Sequence, residues 1–208
     1  MTRSLSKWLG LALIFIAAPA LAQATKFPPP PPPSMVGPYV GGTIGYAQAK
    51  DGCLGVLSGG GRTCDDKDLS YGVFAGYRLL RYLAAEAAYK DLGKLTAAGP
   101  GSTETIHGTV WDVTALGIVP IDDQISAYLR IGAYHATLDA SARGVEATSN
   151  GNITYGAGLQ WDLLSLFSVR NLSVRLDWQR YKKVGGDATL YGVNIYDVAS
   201  IGVLWRFR

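Results

Sequence analysis

Glu86, Arg130, Arg175 and Asp177 are the residues of this sequence whose type and placement most invite chemistry. Each lies on the small, glycine- and alanine-rich parity of a stretch that alternates with period two, opposite an apolar parity. Charges gathered on the cramped side of a sheet have to pair, because one buried alone carries a heavy desolvation penalty. Two readings stay open. The four form a static network of salt bridges and hydrogen bonds, or they form a gate in which exchanged ion pairs open a narrow path. Asp112, Gln160 and Gln179 share their parity.

A second chemical feature is the pair Cys53 and Cys64, the 2 cysteines of the chain, in DGCLGVLSGGGRTCDD. With Asp65 and Asp66 beside them the thiols could hold a metal, but no histidine is adjacent and the spacing matches no zinc pattern. In an oxidising compartment the simpler outcome is a disulfide. Closing a ring of this size is worth roughly 3 kcal/mol in the chain-entropy picture. No metal and no cofactor are expected.

The element that must position Glu86 is the stretch LSYGVFAGYRLLRYLAAEAAYKDL, from Leu69 to Leu92. Leu69, Tyr71, Val73, Ala75 and Tyr77 alternate with Ser70, Gly72, Phe74, Gly76 and Arg78. After a short link, Leu83, Ala85, Ala87 and Tyr89 alternate with Ala84, Glu86, Ala88 and Lys90. The pattern is a β-hairpin with one continuous apolar face. Taken alone, that face fits the buried side of a soluble sheet or the lipid-facing side of a membrane barrel.

The rest of the chain repeats the pattern. Alternating runs begin at Tyr39, Val110, Ile125, Ile153, Leu172 and near Tyr196, and Pro120 closes one where a proline is tolerated, at its end. Short links alternate with long polar connections at residues 49–68, 93–107, 141–152 and 182–195. The total is about eight strands of roughly ten residues, the length a tilted strand needs to cross a bilayer. An even strand number, alternating loop lengths and aromatics near strand ends are the marks of a transmembrane barrel, which must close to satisfy its edges. A soluble ligand-binding barrel would place large apolar groups inside. Here the inner parity collects the charges, which is inverted for a soluble protein. The expected fold is therefore all-β: an eight-stranded antiparallel up-and-down transmembrane β-barrel over residues 39–208.

Bulk properties agree. Only 17% of the 208 residues are charged and the net charge is +3, too small to argue for nucleic acid. After the N-terminus no apolar run is long enough for a transmembrane helix. Residues 1–22 read as a signal peptide, with Arg3 and Lys7 before an apolar core and a small-residue site at Ala20–Ala22. Residues 23–38 include a run of prolines, a polyproline II spacer or a ligand for a periplasmic partner.

GPYVGGTIGY, VFAGYRLLRYLAAEAAYKDLG, VPIDD with ISAYLRIGAY, YGAGLQWD with LSVRLDWQRY, and the terminal WRF resemble the OmpA-type transmembrane domain family of small outer-membrane β-barrels. The resemblance implies an up-and-down barrel in a Gram-negative outer membrane, serving as a structural barrel, an adhesin or surface recognition factor, or a narrow porin-like channel. It departs in two places: Arg208 follows the terminal Phe207, and the peptidoglycan-binding domain of larger members is not carried over.

Some small barrels of this kind modify lipid A with serine and histidine. His107 and His135, with Ser102 or Ser149 as conceivable partners, lack a nucleophile motif, so no catalysis is expected. Lys94, Arg180, Lys182 and Lys183 fall near the outer rim, where they either meet lipopolysaccharide phosphates or snorkel at the interface. Expected partners are outer-membrane lipid and lipopolysaccharide, the assembly machinery through the C-terminal strand, and an external ligand on the loops.

Overall fold

A computed structural model describes residues 36–50, 63–99, 102–140, 148–163, 171–184 and 195–207. The expected signal peptide, nearly all of the proline-rich segment, and Cys53 lie outside these residues. The described chain is built from strands: β1 (Gly37–Ala49), β2 (Thr63–Asp65), β3 (Lys67–Leu80), β4 (Leu83–Gly99), β5 (Ser102–Pro120), β6 (Ile125–Ala140), β7 (Thr148–Asp162), β8 (Leu172–Lys182) and β9 (Ile195–Arg206). All of them except β2 form one closed ring, in which each strand pairs antiparallel with its neighbour in sequence and β9 returns to β1. This is the expected eight-stranded up-and-down barrel. Closure leaves no open edge in the ring, which is what lets a sheet lie in hydrocarbon.

Alternation decides what each face meets. Outward-facing Ile44, Val73, Val113, Leu129, Ile131, Leu176 and Ile201 are exposed, whereas inward neighbours such as Glu86, Thr114, Arg130 and Arg175 are buried. The apolar band is bordered on one side by Tyr46, Tyr71, Trp111 and Trp178 and on the other by Tyr77, Trp161, Trp205 and Phe207, all at least partly exposed. Aromatic belts of this kind mark the two edges of a bilayer.

The structure corrects several strand boundaries. β1 begins at Gly37, two residues before the expected Tyr39. The expected loop at residues 93–107 is a continued hairpin, with Thr96 opposite Thr105 and Ala98 opposite Thr103. Thr-rich polar strands have the propensity to pair in water, so β4 and β5 outrun the apolar band. Within the expected 49–68 connection, β2 adds a third strand by pairing Thr63–Asp65 with Thr96–Ala98. The expected 141–152 connection is likewise shortened by β7, which starts at Thr148.

A bulge sets the geometry of this extension. Between Asp91 and Lys94 the β4–β5 register shifts, and Gly93 there takes φ 75°, a conformation that favours glycine. The extra residue inverts the alternation, so that Leu92 before the bulge and Leu95 after it both point inward and are buried.

Candidate functional site

Among the described residues, charged side chains converge under deep burial in the barrel interior. Glu86 on β4 is 2% exposed. Its Oε1 accepts hydrogen bonds from the Tyr39 hydroxyl at 2.8 Å and Arg175 Nη1 at 2.6 Å, and its Oε2 accepts from Arg130 Nη2 at 3.2 Å. Arg130 also contacts Asp177 Oδ2 at 2.6 Å and donates through Nη1 to Gln179 Oε1 at 2.9 Å. All four residues expected to share an interior network therefore meet, and both candidate arginines contact Glu86.

Aromatic rings fix this layer. The Arg175 guanidinium carbon lies 4.8 Å from the Phe74 ring centre, 4.9 Å from Tyr128 and 6.0 Å from Tyr39, so three ring faces surround one cation. All three rings depend on glycine. Tyr39 is the cross-strand partner of Gly76, Phe74 that of Gly41 and Tyr128 that of Gly158. In each case a Cβ on the glycine would overlap the ring. The missing side chain is what lets the ring lie flat across the neighbouring strand.

Next to the central layer is a second charged layer that sequence reasoning did not assemble. Lys90 Nζ contacts Gln179 Oε1 closely and lies 3.9 Å from Asp112 Oδ2. The same Asp112 oxygen accepts from Tyr181 OH at 2.7 Å and Gln179 Nε2 at 3.3 Å. Gln179 thus joins the two layers. Lys90 had a usable signal: it follows Glu86 by four residues on the inner parity, although its partners lie far away in sequence. Toward the end of the barrel that carries the short links, Asp162 accepts from Arg206 at 2.8 Å and Ser173 at 2.7 Å, while Arg78 donates to the Arg81 carbonyl at 2.7 Å.

Beyond the Lys90–Asp112 layer, toward the long connections, the interior turns apolar. Leu92, Leu95, Ile106, Val110, Tyr134, Leu138, Tyr181, Val184, Tyr196 and Val198 form one buried cluster. Tyr134 and Tyr181 meet edge to face at 5.2 Å, and the Tyr134 hydroxyl donates to the Lys182 carbonyl. The Gly93 bulge is what brings Leu95 into this cluster.

At the rim that carries the long connections the expected cations separate. Arg180 is held by Asp197 through two hydrogen bonds of 2.6 and 2.7 Å, and Lys182 Nζ lies 5.1 Å from the Tyr155 ring centre. Lys183, with φ 59°, and Lys94 are exposed. Lys94 lies on β4, several strands from the others. His107 lies inside β5, not at a loop junction, and its Nε2 is 2.9 Å from Asp91 Oδ1. Tyr71 donates to the same carboxylate at 3.0 Å. His135 faces outward beside its cross-strand partner Trp111.

Among proteins of known sequence, Outer membrane protein A of Klebsiella aerogenes is 27% identical over 173 residues, covering 81% of this chain and 48% of the relative. The chain thus spans about half the length of the curated relatives it matches. Two solved barrels share the fold. The N-terminal β-barrel domain of Pseudomonas aeruginosa OprF matches at TM-score 0.52 and 14% identity, covering 83% of this chain and 98% of that one. Neisserial surface protein A matches at TM-score 0.51 and 17% identity, covering 82% and 97%. With a closed barrel, a lipid-facing apolar band and a match to the family's sequence pattern over residues 36–208, the chain belongs to the OmpA-like transmembrane domain family and is a protein of the cell outer membrane.

Proposed function

We propose that this protein is a structural and surface-interaction barrel whose lumen is closed to ions and whose long connections face outward to meet partners. The observation that carries the reading is the Glu86 carboxylate, which has three donors on it, in series with the layer of tyrosines and aliphatic side chains that lies beyond Lys90 and Asp112. A charged layer with every member engaged and an apolar layer in series with it leave little room for a hydrated ion. Barrels of this strand number are filled by their own side chains.

A signal peptide over residues 1–22 would deliver the chain to the periplasm, with residues 23–38 as a stiff spacer. A Cys53–Cys64 disulfide would tie the first long connection into a presented surface; among the described residues no cysteine is free. Lipopolysaccharide, engaged by Lys94, Arg180, Lys182 and Lys183, and the assembly machinery, engaged by β9, are the membrane partners of this reading.

A second reading, a narrow channel, draws on Arg130, which touches both Glu86 and Asp177 and could exchange one for the other. Planar-bilayer recording separates the two. A structural barrel gives no steady conductance in the unmodified protein or in Glu86→Ala, whereas a gate opens when Glu86 is removed. A heat-dependent gel shift of the membrane-extracted protein reports the folded barrel in parallel, and recovery of the protein from the soluble periplasm would sink both readings. A third reading, lipid A modification through His107 or His135, predicts turnover of labelled lipid A that is abolished in His135→Ala.

A further inference from the structure

Arg78 points inward from β3 at the end of the barrel that carries the short links. It is 5% exposed, yet among the described residues no carboxylate lies within ion-pair distance of it. The other buried cations, Lys90, Arg130 and Arg175, each have one. Arg78 Nη2 donates to the Arg81 carbonyl at 2.7 Å, while its Nε is enclosed with no partner. A buried guanidinium without an anion is costly, so something is missing from its surroundings. Arg206 enters the same mouth from β9, on the far side of β1. Its acid, Asp162, is already committed: Oδ1 accepts from Arg206, Ser173 and Gln160 at 2.8, 2.7 and 3.2 Å. The charges that act most strongly on Arg78 are Arg206, Asp162 and Arg175, two cations to one acid. Arg175 is in turn paired with Glu86. The other described acids of this end, Asp122 and Asp123, are exposed in the β5–β6 link, and Asp122 Oδ1 accepts from the amides of Gln124 and Ile125. Between Arg78 and Arg206 the inner wall is Gly37, where an added Cβ would meet only the Phe207 carbonyl oxygen, at 3.6 Å. The space over this glycine is open.

We propose that this mouth is a binding site for a small oxyanion, a carboxylate seated over Gly37 on Arg78 and Arg206. The unpartnered Nε of Arg78 completes the planar fork that matches the two oxygens of a carboxylate. Asp162 on β7 stands across the ring from β3, so with Gln160 and Ser173 it gives the rest of the ligand a polar wall. An interior of this strand number is narrow, which admits the end of a chain and shuts out a folded partner. With the long connections facing outward, as in the proposed function, the mouth opens to the periplasm. The ligand is then the free carboxylate end of a periplasmic peptide. Only that compartment rests on the proposed function; the binding chemistry holds for either orientation and needs no open lumen.

The test is isothermal titration calorimetry of the full chain, refolded in an uncharged detergent at fixed ionic strength. The probes are N-acetyl-dialanine with a free carboxylate, the same peptide as its amide, acetate, inorganic phosphate and chloride. The free-acid peptide should bind at one equivalent and the amide about tenfold more weakly, the loss of a charge-assisted hydrogen bond. Acetate or phosphate binding as tightly as the peptide would assign the same site to free anions, and tighter peptide binding assigns it to chain ends. Arg78→Gln should lose about tenfold, and Arg78→Lys should restore only part, because a point charge lacks the fork. Lys67→Ala, which removes an exposed cation at the far end of β3, should change nothing. Equal binding of acid and amide, full binding by Arg78→Gln, displacement by chloride as readily as by acetate, or no anion binding at all would each overturn the site. The heat-dependent gel shift separates a failed barrel from a failed site, and the comparison of acid with amide uses the unmodified protein. Steady conductance in planar bilayers would sink the closed lumen and leave anion binding unchanged, so the two failures are distinguishable.

Discussion

Tyr39 and Gly76 face each other across β1 and β3, and the Tyr39 ring occupies the space that a Cβ on Gly76 would need. The consequence reaches a third strand, because the ring in this position delivers its hydroxyl to Glu86 on β4 at 2.8 Å. A glycine on one strand therefore helps fix the charge on another. Gly76→Ala should push the ring off its seat and cost about 1–3 kcal/mol, the usual range for overpacking. Tyr39→Phe keeps the ring and removes only the hydroxyl, so it should cost about 1 kcal/mol. Chemical unfolding of the barrel in lipid vesicles measures both. A neutral Gly76→Ala would mean that the ring has another place to go.

The Glu86–Arg175 pair should be strongly coupled. Removing the carboxylate in Glu86→Gln leaves Arg175 with Gln160 at 3.3 Å and three ring faces, but no anion. An unpaired buried charge costs about 3–5 kcal/mol. Replacing both residues, as Glu86→Gln with Arg175→Met, should lose less than the two single changes summed. The double-mutant cycle isolates that coupling, and additive losses would show that the two residues act independently.

Lipid exposure makes a depth-dependent prediction. Ala115 is exposed on the outer wall between Ala85 and Ile131, two outward positions inside Trp111. Ala115→Arg should destabilise the barrel by about 2–4 kcal/mol in vesicles, the midplane range for a cation on a barrel wall. Thr109→Arg, on the same strand and face but beyond Trp111, should cost roughly 0–1 kcal/mol. Equal effects at the two depths would contradict the placement of the bilayer.

The cysteine pair is testable by proteolysis. With Cys53 and Cys64 joined, trypsin should cut after Arg62 without separating the two halves of the loop, and reduction should release them. Cys64→Ser should speed cleavage and leave the heat-dependent gel shift of the barrel intact, because the barrel closes through β1 and β9 without the loop. An unchanged cleavage rate would remove the disulfide from the proposed function.

Face assignment was legible in the chain itself, because a strand's side chains alternate with period two and the rule is local. That is why Tyr71, Val73 and Tyr89 could be placed outside and Glu86, Arg130, Arg175 and Asp177 inside before any fold was known. Lys90 was on the inner parity too, yet its role was not legible, because its partners Asp112 and Gln179 come from β5 and β8. The β4 extension was missed because Thr, Ser and Gly in water suit a loop or a paired strand equally well, and Gly93 reads as an ordinary loop glycine until its φ is seen.

The composition and alternation of the chain were enough to determine an outer-membrane barrel, which face of each strand meets lipid, and which charges are enclosed. Partner choice was not local. Glu86 meets Arg130 across 44 residues and Arg175 across 89, through strands that do not neighbour β4. Those meetings depend on how far the strands slide past one another when the sheet closes, a property of the whole ring. The same closure sets the tyrosine-and-leucine layer beside Lys90 and Asp112, which arises from side chains on several strands that become neighbours only in the finished barrel.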